Sequence, residues 1–185
     1  MLIFSNKNIK YVFIHIPKNS GKYLRDKIIA NKNNKIIKSY WGYEGNLDLA
    51  HIPYTKKNDF IKFYAYFFAY TRCPYNRFIS AYFYINPENS VDDFKSFIKT
   101  ELITYEFNMD YDCNIIHYYP QYLFVCDNTM NIKKNIKISK LENLENPRKY
   151  NLPDFFDNEC IHIINKIYNN DFLFFDYNVL DADVF

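Results

Sequence analysis

From Lys62 to Thr71 the chain reads KFYAYFFAYT, an almost wholly apolar run of strand length that Pro74 brings to a close. A strand with water on one face alternates apolar and polar side chains. A run without that alternation therefore predicts a central strand covered on both faces, as in a parallel sheet between helices. Residues Tyr11 to Ile16, YVFIHI, carry the same message: they are aromatic and β-branched and are stopped by Pro17. After them come the polar turn KNSG and then KYLRDKIIANK, in which Leu24, Ile28 and Ile29 share one helical face. Beyond Pro74, NRFISAYFYI places Phe78, Ala81, Tyr82 and Ile85 on one face, and Pro87 closes it. VDDFKSFIKTEL repeats the pattern with Phe94, Phe97 and Ile98 inward, and with Asp92 and Asp93 in the first turn, where carboxylates complement the helix dipole. Strand, loop and helix in that order, twice over, predict an α/β domain with a mostly parallel sheet.

Other segments carry shorter signals. Lys35 to Ile37 reads as a short strand, Leu47 to Ile52 as an extended piece, and QYLFV, from Gln121 to Val125, as a strand start. NIKISKLENLE reads as a late strand running into a short helix, and Glu159 to Asn169 as a helix followed by DFLFFDY. No internal repeat or linker interrupts the 185 residues, a length that buries a core without metals or disulfides, so residues 1–185 are expected to form one domain.

Charge narrows the partners. The net charge of +2, from 23 basic and 21 acidic side chains, is too balanced for a long polyanion held by charge alone, which argues against nucleic acid and makes any anion site local. Cys73, Cys113, Cys126 and Cys160 form no CxxC pair, and no His/Cys cluster has zinc spacing, so the thiols read as structural and no metal is expected. The N-terminus lacks a long apolar stretch, and no run approaches the roughly 18 apolar residues of a membrane helix. A cytoplasmic protein with reduced thiols and no transmembrane segment is the expectation. Nothing in the sequence specifies an oligomeric state.

The chemistry concentrates at two strand ends. In PKNSGKYL, between a buried strand and a helix, backbone N–H groups and the positive helix end face an anion, with Lys18 and Lys22 beside it. A Walker A loop would need Gly where Ile16 stands and Ser or Thr where Tyr23 stands, so the magnesium hydroxyl is missing and a metal-independent phosphate loop survives. A plain surface turn with two solvated lysines is the bland alternative. In AYTRCPYNRFISAY, Arg72 leaves the apolar strand at the end where α/β sheets bind ligands, positioned to fork onto a phosphate, and Ser80 offers a hydroxyl. Arg77 lies three residues before Ser80 on the same helical face and is expected to pair with a helix acid.

Together, VFIHIPKNSGKYL and YTRCPYNRFISAY resemble the phosphosulfate loop and 3'-phosphate motif of the carbohydrate sulfotransferases, the Golgi heparan and chondroitin type and their bacterial relatives. HYYPQYLFV is similar to that family's H-x-x-P-Q segment, ISKLENLE to its E-x-L strand exit, and INKIYNNDFLFFDY to its closing motif, so the resemblance spans nearly the whole chain. It implies a P-loop-like three-layer α/β/α domain, the sulfotransferase fold, and transfer of a sulfuryl group from 3'-phosphoadenosine 5'-phosphosulfate (PAPS) to a hydroxyl-bearing acceptor, usually a glycan. It also implies roles: Lys18 on the bridging oxygen; Asn19, Ser20, Gly21, Lys22 and Tyr23 along the 5'-phosphate; Arg72 and Ser80 on the 3'-phosphate; and Arg148 and Lys149 in a shortened basic loop. Ser20, Lys22 and Tyr23 depart from the family's glycine and hydroxyl pattern. His51, between NLDLA and Pro53, is the expected general base, a neutral imidazole suited to pH 7, with Glu44 as its substitute. His15 reads as structural, His117 as orienting the site or the acceptor, and His162 as a surface or core residue of the last helix. Trp41, Tyr40, Tyr43 and Tyr54 are candidates to stack on a sugar ring. The alternatives are a degenerate binding protein that keeps Lys18, Arg72 and Ser80 without turnover, and a kinase-like nucleotide-binding protein, which would need a carboxylate pair for magnesium.

Overall fold

The structure is a computed structural model and describes residues 1–56, 66–108, 111–132, 135–144 and 148–184. Strands β1 (Leu2–Asn6) and β2 (Ile9–Ile14) form an antiparallel hairpin. Lys7 and Asn8, between them, have left-handed φ values of 47° and 66°, the pair of conformations that joins two strands without fighting their twist. Strand β3 (Asn34–Ser39) pairs antiparallel with the other edge of β1. A separate ribbon joins β4 (Tyr43–Glu44) to β5 (Leu47–Asp48). Strand β6 (Tyr66–Thr71) runs parallel to β2, and β7 (Ile136–Lys140) parallel to β6. Among the described residues the central sheet thus has five strands in the order β3-β1-β2-β6-β7. All but β1 point the same way, the mixed α/β architecture with a mostly parallel sheet that the strand-loop-helix pattern predicts.

Two of the parallel strands hand the chain to helices, and β7 hands it to a 3₁₀ turn, Leu141–Asn143. Strand β2 leads to α1 (Gly21–Ala30) and β6 to α2 (Pro74–Ile85). Next come α3 (Val91–Thr100), α4 (Leu152–Phe155), α5 (Asn158–Ile167) and α6 (Asn169–Phe175). Helix α3 starts on a reciprocal cap: Ser90 Oγ accepts from the Asp93 N–H at 3.2 Å, and Asp93 Oδ2 accepts from the Ser90 N–H at 2.8 Å.

The sheet packs differently on its two faces. Ile3, Val12, Ile14, Phe67, Ala69 and Ile136 belong to one core with Leu123, Phe124 and Val125. Leu2, Phe4 and Phe13 meet Leu24 of α1 on the other. The helices make a further core in which Phe78 of α2 touches Phe94 and Phe97 of α3 and Tyr168 beside α5, at ring centroid distances of 5.5, 6.4 and 6.0 Å. Each such phenyl group withdrawn from water contributes about 1.5–3 kcal/mol.

Several expectations need correction. Residues 62–65 of the apolar run lie outside the described residues. Within Tyr66–Thr71, Phe67, Ala69 and Thr71 are buried while Phe68 and Tyr70 are only half-buried and Tyr66 is exposed. The strand therefore alternates: on that face the short α1 leaves a groove of about 470 Å³ lined by Leu24, Ile28, Phe68 and Tyr70. Strand β2 stops at Ile14, so His15 and Ile16 belong to the loop. Leu47 to Ile52 is extended only through Asp48; its side chain then accepts the Ala50 N–H at 2.9 Å and caps a 3₁₀ turn, Leu49–His51. Gln121–Phe124 is likewise a 3₁₀ turn and not a strand. No helix among the described residues is long and apolar enough to cross a membrane, and all four cysteines are free.

Candidate functional site

Strand β2 and strand β6 end side by side, and the loop Pro17–Ser20 and the segment Arg72–Cys73 leave from those ends. Pro17 has no N–H to continue a ladder. Lys18 and Ser20 both take left-handed φ, 66° and 56°, which turns the chain sharply into α1. Ser20 caps no N–H of α1 with its side chain, and no acid stands in the first turn, where Lys22 is found instead. The amino end of α1 therefore presents its free N–H groups and positive dipole beside added positive charge, the arrangement of an anion site.

Two contacts fix this loop. A Cβ on Gly21 would fall 1.6 Å from His15 Nε2, so only glycine lets α1 start against the buried His15 ring. Asn19 is 2% exposed and donates to the Tyr70 carbonyl at 2.6 Å and to Gln121 Oε1 at 2.8 Å. Its side chain braces the loop against β6.

Gln121 is the hub that sequence reasoning left without a role. Its Oε1 also accepts the Arg72 N–H at 2.9 Å, and its Nε2 donates to the Arg72 carbonyl at 2.8 Å. Its own N–H and that of Tyr122 donate to the two oxygens of Asp171, each at 2.8 Å. Asp171 is fully buried; burial pushes its pKa up to about 6 against the pull of Arg77 and these N–H groups. The available sequence signal was a polar Gln opening an apolar run after Pro120.

Three cations converge here. Arg72 is buried and donates to the Lys18 carbonyl at 3.3 Å and to the Arg148 carbonyl. Arg77 is buried and donates to the carbonyls of Pro17 at 3.0 Å and His117 at 3.2 Å; the expected helix acid is present as Asp171 of α6, which attracts Arg77 electrostatically but forms no close ion pair with it. Lys18 rests its Nζ 3.8 Å from the centroid of the exposed Tyr84 ring. Burial first, then Arg72 and Arg77, lower the Lys18 pKa to about 8. None of the ion pairs among the described residues involves these three side chains. Asp171 attracts Arg77 and Glu142 attracts Arg72 without a close ion pair, and withdrawing three cations from water is costly unless an anion joins them.

The remaining expected residues divide. Lys22 and Tyr23 are exposed on α1, and Ser80 is half-buried on α2 without a hydrogen bond to Arg72. Arg148 and Lys149 are exposed, and Arg148 lies 4.8 Å over the Tyr150 ring, beside Arg72. Glu44 stands exposed on the ribbon, paired in register with Leu47. Trp41 and Tyr43 are exposed, Tyr40 is half-buried, and Tyr54 is buried in the sheet core. His162 is exposed on α5.

His51 ends the 3₁₀ turn, buried, with Nδ1 2.9 Å from the His15 carbonyl. A carbonyl accepts only, so Nδ1 carries the proton and Nε2 keeps its lone pair. The rings of His15 and His117 lie 4.3 and 5.4 Å from that of His51, and Tyr84 stacks on His117 at 5.0 Å. Burial holds the pKa of His51 and of His117 down to about 3, and all three imidazoles are neutral at pH 7. A continuous line of contacts thus runs from Lys18 through Tyr84, His117, His51 and His15 to Gly21. Compared with protein-family models, with curated proteins and with solved structures, the chain matches none.

Proposed function

We propose that this chain is a sulfotransferase of the P-loop-like three-layer type that moves a sulfuryl group from PAPS to a hydroxyl, with a glycan as the first acceptor class to test. One observation carries the reading: the half-buried Lys18 and the buried Arg72 and Arg77, none of them in an ion pair among the described residues, stand at the open end of α1 in a contact line with a neutral histidine whose Nε2 keeps its lone pair. The 5'-phosphosulfate lies against the first turn of α1, and the 3'-phosphate lies toward Arg72, Ser80 and the Arg148–Lys149 segment.

In the transfer, the acceptor oxygen bonds to sulfur as the bond from sulfur to the bridging oxygen breaks. The electron pair leaves on the 5'-phosphate of 3'-phosphoadenosine 5'-phosphate, and the acceptor proton passes to His51 Nε2. Lys18 leaves Tyr84 and neutralises the charge that develops on the bridging oxygen, a contact stronger in the transition state than before it. Glu44 substitutes as base only if the ribbon folds toward the loop. Exposed Trp41 and Tyr43 offer ring faces to a sugar. No metal enters these steps.

The experiment is calorimetric titration with 3'-phosphoadenosine 5'-phosphate of the wild type and Arg72→Ala. Micromolar binding, weakened more than about tenfold in the variant, is expected for loss of a charge-assisted contact. A folded wild type that does not bind ends the assignment. Donor binding without turnover is the second reading, favoured by Lys22 and Tyr23 standing at the start of α1 where the resembled family carries small hydroxyls. Transfer of labelled sulfate that is lost in Lys18→Ala separates the two.

A further inference from the structure

Asp48, His51 and His117 each turn one ligand atom into a common space, and these atoms all lie within 4.8 Å of one another. None of the three gives a proton to another. His51 Nδ1–H is committed to the His15 carbonyl, leaving the Nε2 lone pair 3.8 Å from Asp48 Oδ2. Asp48 keeps Oδ2 for this space because Oδ1 accepts the Ala50 N–H. Two acceptors, His51 Nε2 and Asp48 Oδ2, thus converge with a ring nitrogen of His117, whose Nδ1 is buried with no hydrogen-bond partner among the described residues, and such a set calls for a positively charged or proton-bearing occupant. The acceptor hydroxyl of the proposed transfer is one such occupant, but it does not explain why a carboxylate and a second imidazole share the spot.

The geometry points to a binding site for a divalent transition ion of the zinc class, held by Asp48, His51 and His117 with a fourth position open. Two imidazoles and a carboxylate form a familiar three-ligand zinc set. The His15 carbonyl supplies the outer-shell acceptor that fixes the tautomer and orientation of a ligating histidine. Ligand atoms about 2.0–2.1 Å from zinc sit roughly 3.3 Å apart, so the three close by about an ångström when the ion enters. The ligands come from the 3₁₀ turn, its cap and the segment before Gln121, so no sequence spacing announces them.

Surrounding charge sets the selectivity. Lys18 and Arg77 act on His51 and His117 electrostatically and oppose a dication. Magnesium and calcium, which want oxygen ligands, gain nothing from two imidazoles to offset that repulsion; zinc, cobalt and nickel do. An anion beside Lys18 cancels part of it, so anion and metal bind with positive and reciprocal coupling. This coupling rests on the donor-site reading, whereas the metal site itself does not. An ion on Nε2 also removes the proton acceptor of the proposed transfer, which makes the metal an inhibitor.

The test is titration of the chelator-stripped full chain with cobalt(II), read by its d–d absorption, in the wild type, Asp48→Asn, His51→Ala and His117→Ala. Circular dichroism verifies folding, and 3'-phosphoadenosine 5'-phosphate is present or absent. The expected result is one ion per chain with a tetrahedral spectrum, binding weakened at least about tenfold in each variant, and tighter binding with the nucleotide. Cobalt affinity unchanged in both histidine variants, or no cobalt bound by a folded wild type, overturns the site. Cobalt binding lost in the variants of a chain that ignores the nucleotide upholds the metal site and removes the transfer reading instead.

Discussion

Lys18 is where charge and burial meet in a single residue. Its pKa of about 8 lies below the ordinary 10.5 because burial and two arginines disfavour its charge. The folded chain therefore holds fewer protons than the unfolded chain between about pH 8 and 10.5, and ligand-free stability rises with pH across that window. A bound anion reverses the preference: below pH 8 Lys18 is already charged, and above it binding must bring a proton. Affinity for 3'-phosphoadenosine 5'-phosphate is expected to be flat from about pH 7 to 8 and to fall by up to about tenfold per unit above that. Calorimetry in buffers of different ionisation enthalpy reads the proton uptake, and Lys18→Arg abolishes the fall. A fall that persists in Lys18→Arg assigns the proton to another group. Gly21 makes an independent claim. With His15 Nε2 1.6 Å from where a Cβ would stand, Gly21→Ala is expected to lower stability by about 1–3 kcal/mol in urea denaturation and to abolish anion binding. An unperturbed variant would mean that the loop is looser than this packing implies.

Among the elements, the β2–loop–α1 and β6–α2 units were legible because apolar runs, prolines and helical spacing all agree there. The misreadings have local causes. Asp48 and Pro120 start 3₁₀ turns in segments whose apolar residues suit a strand equally well. β1 escaped notice because its turn is built by Lys7 and Asn8 in left-handed conformations without a glycine to mark it. At the site, charged residues could be named from the sequence, but Gln121 and Asp171 could not, since their roles exist only through contacts across the chain. The amino end of α1 is itself open to test through Ser20, which is exposed and caps nothing. A carboxylate there complements the dipole but repels an anion. Ser20→Asp should therefore change stability by less than about 0.5 kcal/mol while weakening nucleotide binding about tenfold. A plain surface turn would show no effect on binding.

Over the whole molecule, the site stands where the sheet core meets the helical core, and the junction is polar. Gln121 binds Asn19 of the loop, both backbone groups of Arg72 at the end of β6, and Asp171 of α6. Nothing apolar can replace those contacts, because each buried N–H or carbonyl left alone costs about 1–3 kcal/mol. Gln121→Ala leaves the Arg72 N–H and carbonyl without these partners. It is expected to lower stability by about 3–5 kcal/mol and to abolish nucleotide binding, although Gln121 is not proposed to touch the ligand. The same wiring predicts how binding spreads. An anion that orders Lys18 and Arg72 should slow hydrogen exchange in the amides from Lys18 to Leu24 and, through Gln121, in Tyr122 and α6. At a ligand concentration about a hundred times Kd, the gain in global stability is about 2.7 kcal/mol. Protection confined to the loop would mean that the hub braces the two cores without transmitting between them. Protection that reaches α6 in the wild type would make Gln121 the link between the anion and the helical core.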